Sequence, residues 1–437
     1  MKKIKRLAFF LSAFVLLSFT ACSFRDVSED EGISYETSYN PGIDELQAGG
    51  IPIVEISIAD GTEITEKKDW KAANMAITGD FCNEDDFALS EIQIKGRGNS
   101  SWNMCPKKSY TIKLGSKQKV LGMKKHKRWV LIANYTDRTL LRNYYVSKLT
   151  NDLYNTVWNP SFKSVHLIIN GKYHGVYILG EAIKVDKNRV DVEDISETDA
   201  DNGGFIFEIN QRLDELFNFV TTKGICISLK DPDEITEDKQ AKVQEIIQTA
   251  EDVLFSSNYT DPLTGYQKYF DVDSVIDWYI VNEFTKNCDS ADFSSIYYYY
   301  NPEDQLLHMG PNWDFDCSCG NTFSRSCDYY GGMYIKEKNQ WINRMFTDPA
   351  FVERVQQRWN DKKEALYEYT TVKVQDYADT LSASAGMNFK KWKILGKNIW
   401  PNPDGFWYRT TYQSEVDYMI NWLKSRYEYL DDAINEL

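Results

Sequence analysis

The sequence predicts an α+β chain. Period-two apolar alternation fills its first half, 3.6-residue apolar stripes dominate its last third, and no internal repeat interrupts either. The first strand is "IPIVEISI" (residues 51–58), and "ALSEIQIKGRG" is the next, ending in a loop with Gly96 and Gly98. In "KSYTIKL", Tyr110, Ile112 and Leu114 share one face and Lys113 takes the other. "TDRTLLRNYYVSKLTNDLY" reads as a helix with Thr136 as N-cap and Asp137 in its first turn. Its apolar stripe is Leu141, Tyr145, Leu149 and Leu153, which leaves Arg142 and Asn143 on the helix surface. "SVHLIINGKYHGVYILGEAI" is a hairpin turning at Asn170-Gly171, with Glu181 at its end. "GGFIFEIN" adds a strand, and Val243, Ile246, Ile247, Ala250 and Leu254 mark a helix. "DSVIDWYIVNEF" is another helix, capped by Asp273 or Ser274. "SSIYYYY" and "QLLHM" then pair across a turn at Asn301-Pro302. The chain closes with a helix whose stripe is Val416, Ile420, Leu423, Tyr427, Leu430 and Ile434.

A formal net charge of -15 argues against general nucleic-acid binding, which needs a basic surface. "MKKIKR" followed by the apolar run 7–19 and "TAC" reads as a bacterial lipoprotein signal, cut before a lipidated Cys22. The run is too short to span a bilayer. The expected organisation is a signal over 1–21, a flexible acidic tether over 22–50 and one domain over 51–437, strand-rich to 210 and mainly helical from 211. Such a protein would sit in the cell envelope, held to the membrane by its lipid anchor. Seven cysteines remain after Cys22, an odd number, and Cys317 with Cys327 offers a short bridge. No CxxC or zinc-spaced histidine pair occurs.

The chemistry concentrates in "GPNWDFDCSCGN". As a strand, it places Trp313, Phe315 and Cys317 on one face and Asp314 and Asp316 on the other, about 6.6 Å apart. Two such carboxylates can share the shell of a hard cation. Parallel neighbours on one strand cannot flank a glycosidic bond, which ranks a hydrolase last. The order along the chain adds meaning. A glycine loop (Gly96, Gly98) and a strand lysine (Lys113) come first, then a helix, Asp289, a hairpin and the aspartate pair. That is the order in which protein kinases place phosphate loop, phosphate lysine, base and metal aspartate.

These stretches resemble the CotH kinase family, the spore-coat protein H type of atypical protein kinase. The matching segments are "IKGRGNSSW", "PKKSYTIKL", "LIANYTDRTLLRN", "HGVYILGEAI", "GGFIFEIN", "SLKDPDE", "NWDFDCSCG" and "INWLKSR", over roughly residues 51–437. The resemblance implies a degenerate protein-kinase-like fold that uses ATP and Mg²⁺ or Mn²⁺ to phosphorylate Ser or Thr of an exported protein. It implies Asp289 as the catalytic aspartate, Gly96, Gly98, Lys113 and Glu181 at the nucleotide, and Asp314 and Asp316 at the metal. The chain departs from the kinase pattern where a metal-binding Asn is usual and Ser294 and Ser295 stand instead. The alternative is an inactive surface lipoprotein that binds glycan or protein.

Overall fold

Apolar side chains on alternate positions of seven strands turn inward and close the first half of the chain into a barrel. The computed structural model describes residues 35–79, 89–199, 202–323 and 326–437. The signal segment, Cys22 and Cys82 lie outside the described residues. A short helix α1 (Ile43–Gln47) precedes β1 (Ile53–Ile58), β2 (Lys71–Thr78) and β3 (Ser90–Arg97). Helix α2 (Ser100–Met104) leads to β4 (Ser109–Val120) and β5 (Met123–Ile132), and β6 (Phe162–Ile169) and β7 (Lys172–Glu181) follow helix α3 (Arg142–Leu153). The order is β1-β2-β3-β4-β5-β7-β6, and β6 returns parallel to β1 to seal the barrel. Ile56, Met75, Ile94, Ile112, Trp129, Leu131 and Leu179 fill the interior. The mixed α+β class therefore holds, but the strand-rich part is a closed barrel, where the resemblance implied a degenerate kinase-like arrangement.

The expected flexible tether ends earlier than residue 50. Leu46 is fully buried beside Ile53, Ile168 and Tyr173. The Thr37 N–H donates to the Lys391 carbonyl at 2.8 Å, and Ser384 Oγ donates to the Gly49 carbonyl at 2.8 Å. Leu46 and Tyr39 supply the apolar area that an acidic tether lacks. Residues Glu36–Leu437 accordingly form one unit.

A second sheet of five antiparallel strands has the order β12-β11-β8-β10-β9. It comprises β8 (Phe205–Ile209), β9 (Asn218–Val220), β10 (Cys226–Asp231), β11 (Ile296–Asn301) and β12 (Leu306–Met309). It straddles residue 210, so the expected division of the domain there does not follow a structural layer. One face meets the barrel through Val130, Ile178, Ile206, Tyr297 and Trp313. The other carries Phe207 stacked on Tyr298 with centroids 5.3 Å apart, and Phe205 on Tyr300 at 5.5 Å. On that face α5 (Val272–Thr285) packs on β12 and α7 (Gln340–Met345) sets Trp341 against Tyr298, backed by α4 (Glu237–Leu254), α6 (Tyr334–Lys338), α8 (Pro349–Glu368) and α10 (Tyr412–Asn435), while α9 (Val374–Lys391) lies against β7 of the barrel. Asp271, one position ahead of the helix, caps α5 by accepting from the Asp273 N–H at 3.2 Å, in place of the Asp273 or Ser274 expected. None of the described helices is long and apolar enough to cross a membrane.

The "INWLKSR" stretch owes its arginine to packing. Arg426 on α10 is fully buried and pairs with Glu283 of α5 at 2.7 Å. It also donates to the Glu283 carbonyl at 2.6 Å and the Gly332 carbonyl at 2.7 Å. Removing one partner of a buried pair leaves an uncompensated charge, which costs about 3–5 kcal/mol. Arg426→Met is expected to lose that much in urea unfolding. Adding Glu283→Gln should recover part of the loss, and strictly additive losses would contradict the pairing.

Candidate active cleft

The aspartate stretch is a loop, not a strand. It follows β12 through a cis Gly310–Pro311 bond, and Asp314 takes a left-handed φ of 66°. Without a ladder, its backbone groups need other partners. The Phe315 N–H donates to Asn143 Oδ1 at 2.8 Å, and the Asn312 N–H to Asn159 Oδ1 at 2.8 Å. Asn287 Nδ2 donates to the Asp314 carbonyl at 3.1 Å, and Asn321 Nδ2 to the Asp316 carbonyl at 2.7 Å. Arg142 Nε donates to the Ser318 carbonyl at 2.9 Å. Trp313 is anchored in the cluster between barrel and sheet, and Phe315 in the helical core. The aromatic alternation that suggests a strand therefore reflects two separate anchors, with the exposed Asp314 between them.

Arg142 and Asn143, expected on a helix surface, are buried at the start of α3 because they hold this loop. The helix starts five residues later than expected, at Arg142, and Asp137 is not in its first turn. The Asp137 carboxylate accepts from the Thr139 N–H at 3.0 Å, the Arg142 N–H at 2.8 Å and Arg142 Nη1 at 2.5 Å. Residues 137–141 wrap around that carboxylate, and Arg142 is aimed at the loop.

Asp289 lies after α5, beside a disulfide between Cys288 and Cys327. That pairing replaces the Cys317–Cys327 bridge, and Cys317 is free. Cys317 also lines the cleft with Asp314 and Asp316, so the thiol is not turned away from them. Burial, and then the charge of Asp314, push Asp289 up to about 6, with Arg212 opposing. Asp316 is held well above the usual carboxylate range by burial first and then by Asp314, Asp289 and Asp137. Ser295 Oγ donates to Asp314 Oδ2 at 3.3 Å, and Thr136 Oγ donates to Asp316 Oδ2 at 3.3 Å. Mutual repulsion among hard oxygen donors suits a divalent cation such as Mg²⁺ or Mn²⁺. Among the described residues no three His, Cys, Asp or Glu side chains group closely enough to enclose an ion by themselves. A cation here would complete its shell with water or substrate oxygens, as Mg²⁺ commonly does.

The three aspartates line a cavity of about 530 Å³ between the barrel exterior and the second sheet, a volume suited to a small-molecule ligand. Gly96 and Gly98 line it as well. A Cβ at Gly96 would sit 2.2 Å from the Trp102 ring, and Gly98 turns the chain into α2 with a φ of 104°. Lys113 and Glu181 do not line the cavity. Lys113 lies on the outer face of β4, opposite Gln93 and Arg128. Glu181 is buried, pairs with Arg189 at 2.7 Å and accepts from the Ser161 N–H at 2.9 Å, which ties β7 to the following loop. The sequence reading missed Lys95, Arg97, Lys184, Arg212 and Lys230, all of which line the cavity. For Lys95 and Arg97 a signal existed, since both alternate outward from buried Ile92 and Ile94.

A barrel and a helix-backed sheet enclose a cleft lined by both carboxylates and cations. A family model described as CotH kinase protein matches residues 94–430, and the chain belongs to that family. The match begins within β3, later than the residue 51 read from the sequence. No curated protein matches the chain.

The raised Asp289 pKa has a stability consequence. A carboxylate whose pKa rises on folding contributes fully below its unfolded value, and the contribution is lost as pH climbs through about 6. Asp289→Asn removes that loss. With EDTA present, the variant should exceed wild type at pH 8 by on the order of 2 kcal/mol more than at pH 4. Urea unfolding at the two pH values measures this, and an equal difference at both would rule out the shift.

Proposed function

We propose that the chain is an ATP- and divalent-metal-dependent kinase that phosphorylates Ser or Thr of an exported or cell-surface protein. The observation that carries this reading is the convergence of Asp289, Asp314 and Asp316 in one cleft that also contains the Gly96–Gly98 loop, in a chain of the CotH kinase family. The loop conformation of residues 312–317 removes the strand geometry that argued against a hydrolytic pair, and family membership is what ranks phosphoryl transfer above hydrolysis.

Asp314 and Asp316 would hold Mg²⁺ or Mn²⁺. The ion would supply charge neutralisation for the phosphates. Asp289 acts as the base: a carboxylate with a pKa of about 6 is largely ionised at neutral pH yet basic enough to take a hydroxyl proton. Arg212 opposes the rise in that pKa and so keeps Asp289 usable. Export and lipidation at Cys22 are part of the proposal. The Cys288–Cys327 disulfide favours an oxidising compartment.

One feature favours the inactive alternative. The Gly96 N–H donates to the Glu66 carbonyl at 3.1 Å, and Lys67 Nζ donates to the Gly98 carbonyl at 2.8 Å. The glycine loop is thus tied to its neighbours, and the Gly96 amide is not free for phosphate. A surface lipoprotein that binds glycan or protein would retain such a loop.

Two measurements decide. Saturating ATP with Mn²⁺ should raise the melting temperature of wild type, and a ligand at 100 times its Kd stabilises by about 2.7 kcal/mol. Asp314→Ala and Asp316→Ala should abolish the shift. Labelled phosphate transfer from γ-labelled ATP should fall about 10²–10⁴-fold in Asp289→Ala. Polysaccharide binding with no transfer by wild type would favour the alternative.

A further inference from the structure

We infer that Arg97 is the residue that grips the phosphate chain of the nucleotide, in the role the sequence order assigned to Lys113. The inference rests on the kinase reading and assigns one contact within it.

The lining cations differ in what already occupies them. Lys184 is paired with Asp231 and with Asp233, the latter at 2.8 Å. Lys230 bridges Glu208 at 3.2 Å and Glu215. Lys67 donates to the Gly98 carbonyl and to Asn99 Oδ1 at 3.1 Å. Lys95 sits 4.9 Å over the Trp70 ring, which it shares with Arg128. Arg212 lies 4.5 Å over the Phe293 ring and offsets the charge of Asp289, and Arg97 has no hydrogen-bond acceptor or ion-pair partner among the described residues. Its guanidinium lies 5.1 Å from the centre of the Trp313 ring, one residue from Asp314. Stacking on a ring face orients a guanidinium while its in-plane N–H donors stay free.

A half-buried guanidinium whose donors have no protein acceptor is available to an incoming anion. Burial does press against its charge, and the nearby Asp314 is among the groups that support it. The donor fork matches two oxygens of a phosphate, which a lysine cannot do. Position supports the same choice. Arg97 ends β3 between Gly96 and Gly98, beside the aspartate loop, and is paired in register with Ser109. Lys113 is four residues further along β4, about 13 Å from Ser109 along the strand. A phosphate chain held at Arg97 would lie next to a cation held by Asp314 and Asp316. The two charges would act on the same group from different sides.

Calorimetric titration of wild type, Arg97→Met, Arg97→Lys and Lys113→Met with ATP and Mn²⁺, with inorganic triphosphate and Mn²⁺, and with adenosine tests this. Arg97→Met should weaken ATP and triphosphate at least tenfold and leave adenosine unchanged. Arg97→Lys should fall between, and Lys113→Met should match wild type. Melting temperatures without ligand check that each variant folds, and Arg97→Lys serves if Arg97→Met does not. ATP binding within twofold of wild type in the folded Arg97 variants overturns the assignment while leaving the kinase reading intact, as does a loss confined to Lys113→Met. If wild type binds triphosphate but not ATP, the kinase reading fails and the Arg97 comparison with triphosphate still decides the anion site. If wild type binds neither, both fall.

Discussion

A loop with no strand partner must have its amides and carbonyls satisfied by side chains, and that constraint organises this protein around residues 312–321. Asn143, Asn159, Asn287, Asn321 and Arg142 supply the partners. These side chains are themselves linked. Asn143 donates to Asn134 Oδ1 at 3.1 Å just after β5, and Asn282 of α5 donates to Asn312 Oδ1 at 2.8 Å. Asn402 donates to Asn321 Oδ1 at 2.8 Å and to the Thr136 carbonyl at 2.7 Å. The barrel exit, α3, α5 and the segment before α10 are thereby referred to one loop. Buried amides of this kind are tolerated because their partners are present, and each would be expensive alone. The family segment "LIANYTDRTLLRN" has its physical reason here, since it contributes Asn134, Thr136, Asp137, Arg142 and Asn143 to the network.

What the loop holds is electrostatically unfavourable. Burial and the charge of Asp314 raise the proton affinity of Asp289, burial and the charges of Asp314 and Asp289 raise that of Asp316, and the chief offsets are a single arginine and a threonine hydroxyl. A fold selected for stability alone would separate them. Perturbed carboxylates gathered in a cavity are a mark of function, and the rigid backing of the loop is what keeps repulsion from dispersing them. The cations follow the same logic from the other side. Lys184 and Lys230 are neutralised by acids and serve the walls, whereas Arg97 is braced by an indole and keeps its donors.

The regular parts of this arrangement were legible in the sequence. Tyr110, Ile112 and Leu114 do face the barrel interior, and the "YYYY" run packs across strands as its alternation implies. Closure of the barrel was not legible, because it depends on a parallel pairing of β1 with β6 more than a hundred residues away, and local periodicity carries no such information. The aspartate loop was misread for a physical reason: Trp313 and Phe315 are both buried two apart, and only the left-handed backbone at Asp314 distinguishes that from a strand. Arg142 and Asn143 escaped because helical periodicity treats polar residues as solvent-facing, while their partners are carbonyls and amides over 170 residues away in the chain. The identity of the cleft aspartates was nonetheless readable, since their order along the chain does not depend on the local conformation.

The family match and the physical domain do not coincide, and the difference is informative. The matched region opens at residue 94, inside β3, whereas β1 and β2 lie ahead of it and complete the barrel. Without them the remaining strands would present two unpaired edges, β3 and β6, and expose Ile92, Ile94, Val165 and Leu167. β3 is also the strand that carries Gly96, Arg97 and Gly98 into the cleft. A frayed β3 would leave those residues without a fixed position opposite the aspartate loop. Residues 36–50 extend the same logic, since they bind α9 and pack Leu46 beneath β1 and β6. The strands that carry none of the cleft residues are therefore what hold one wall of the cleft in register with the other.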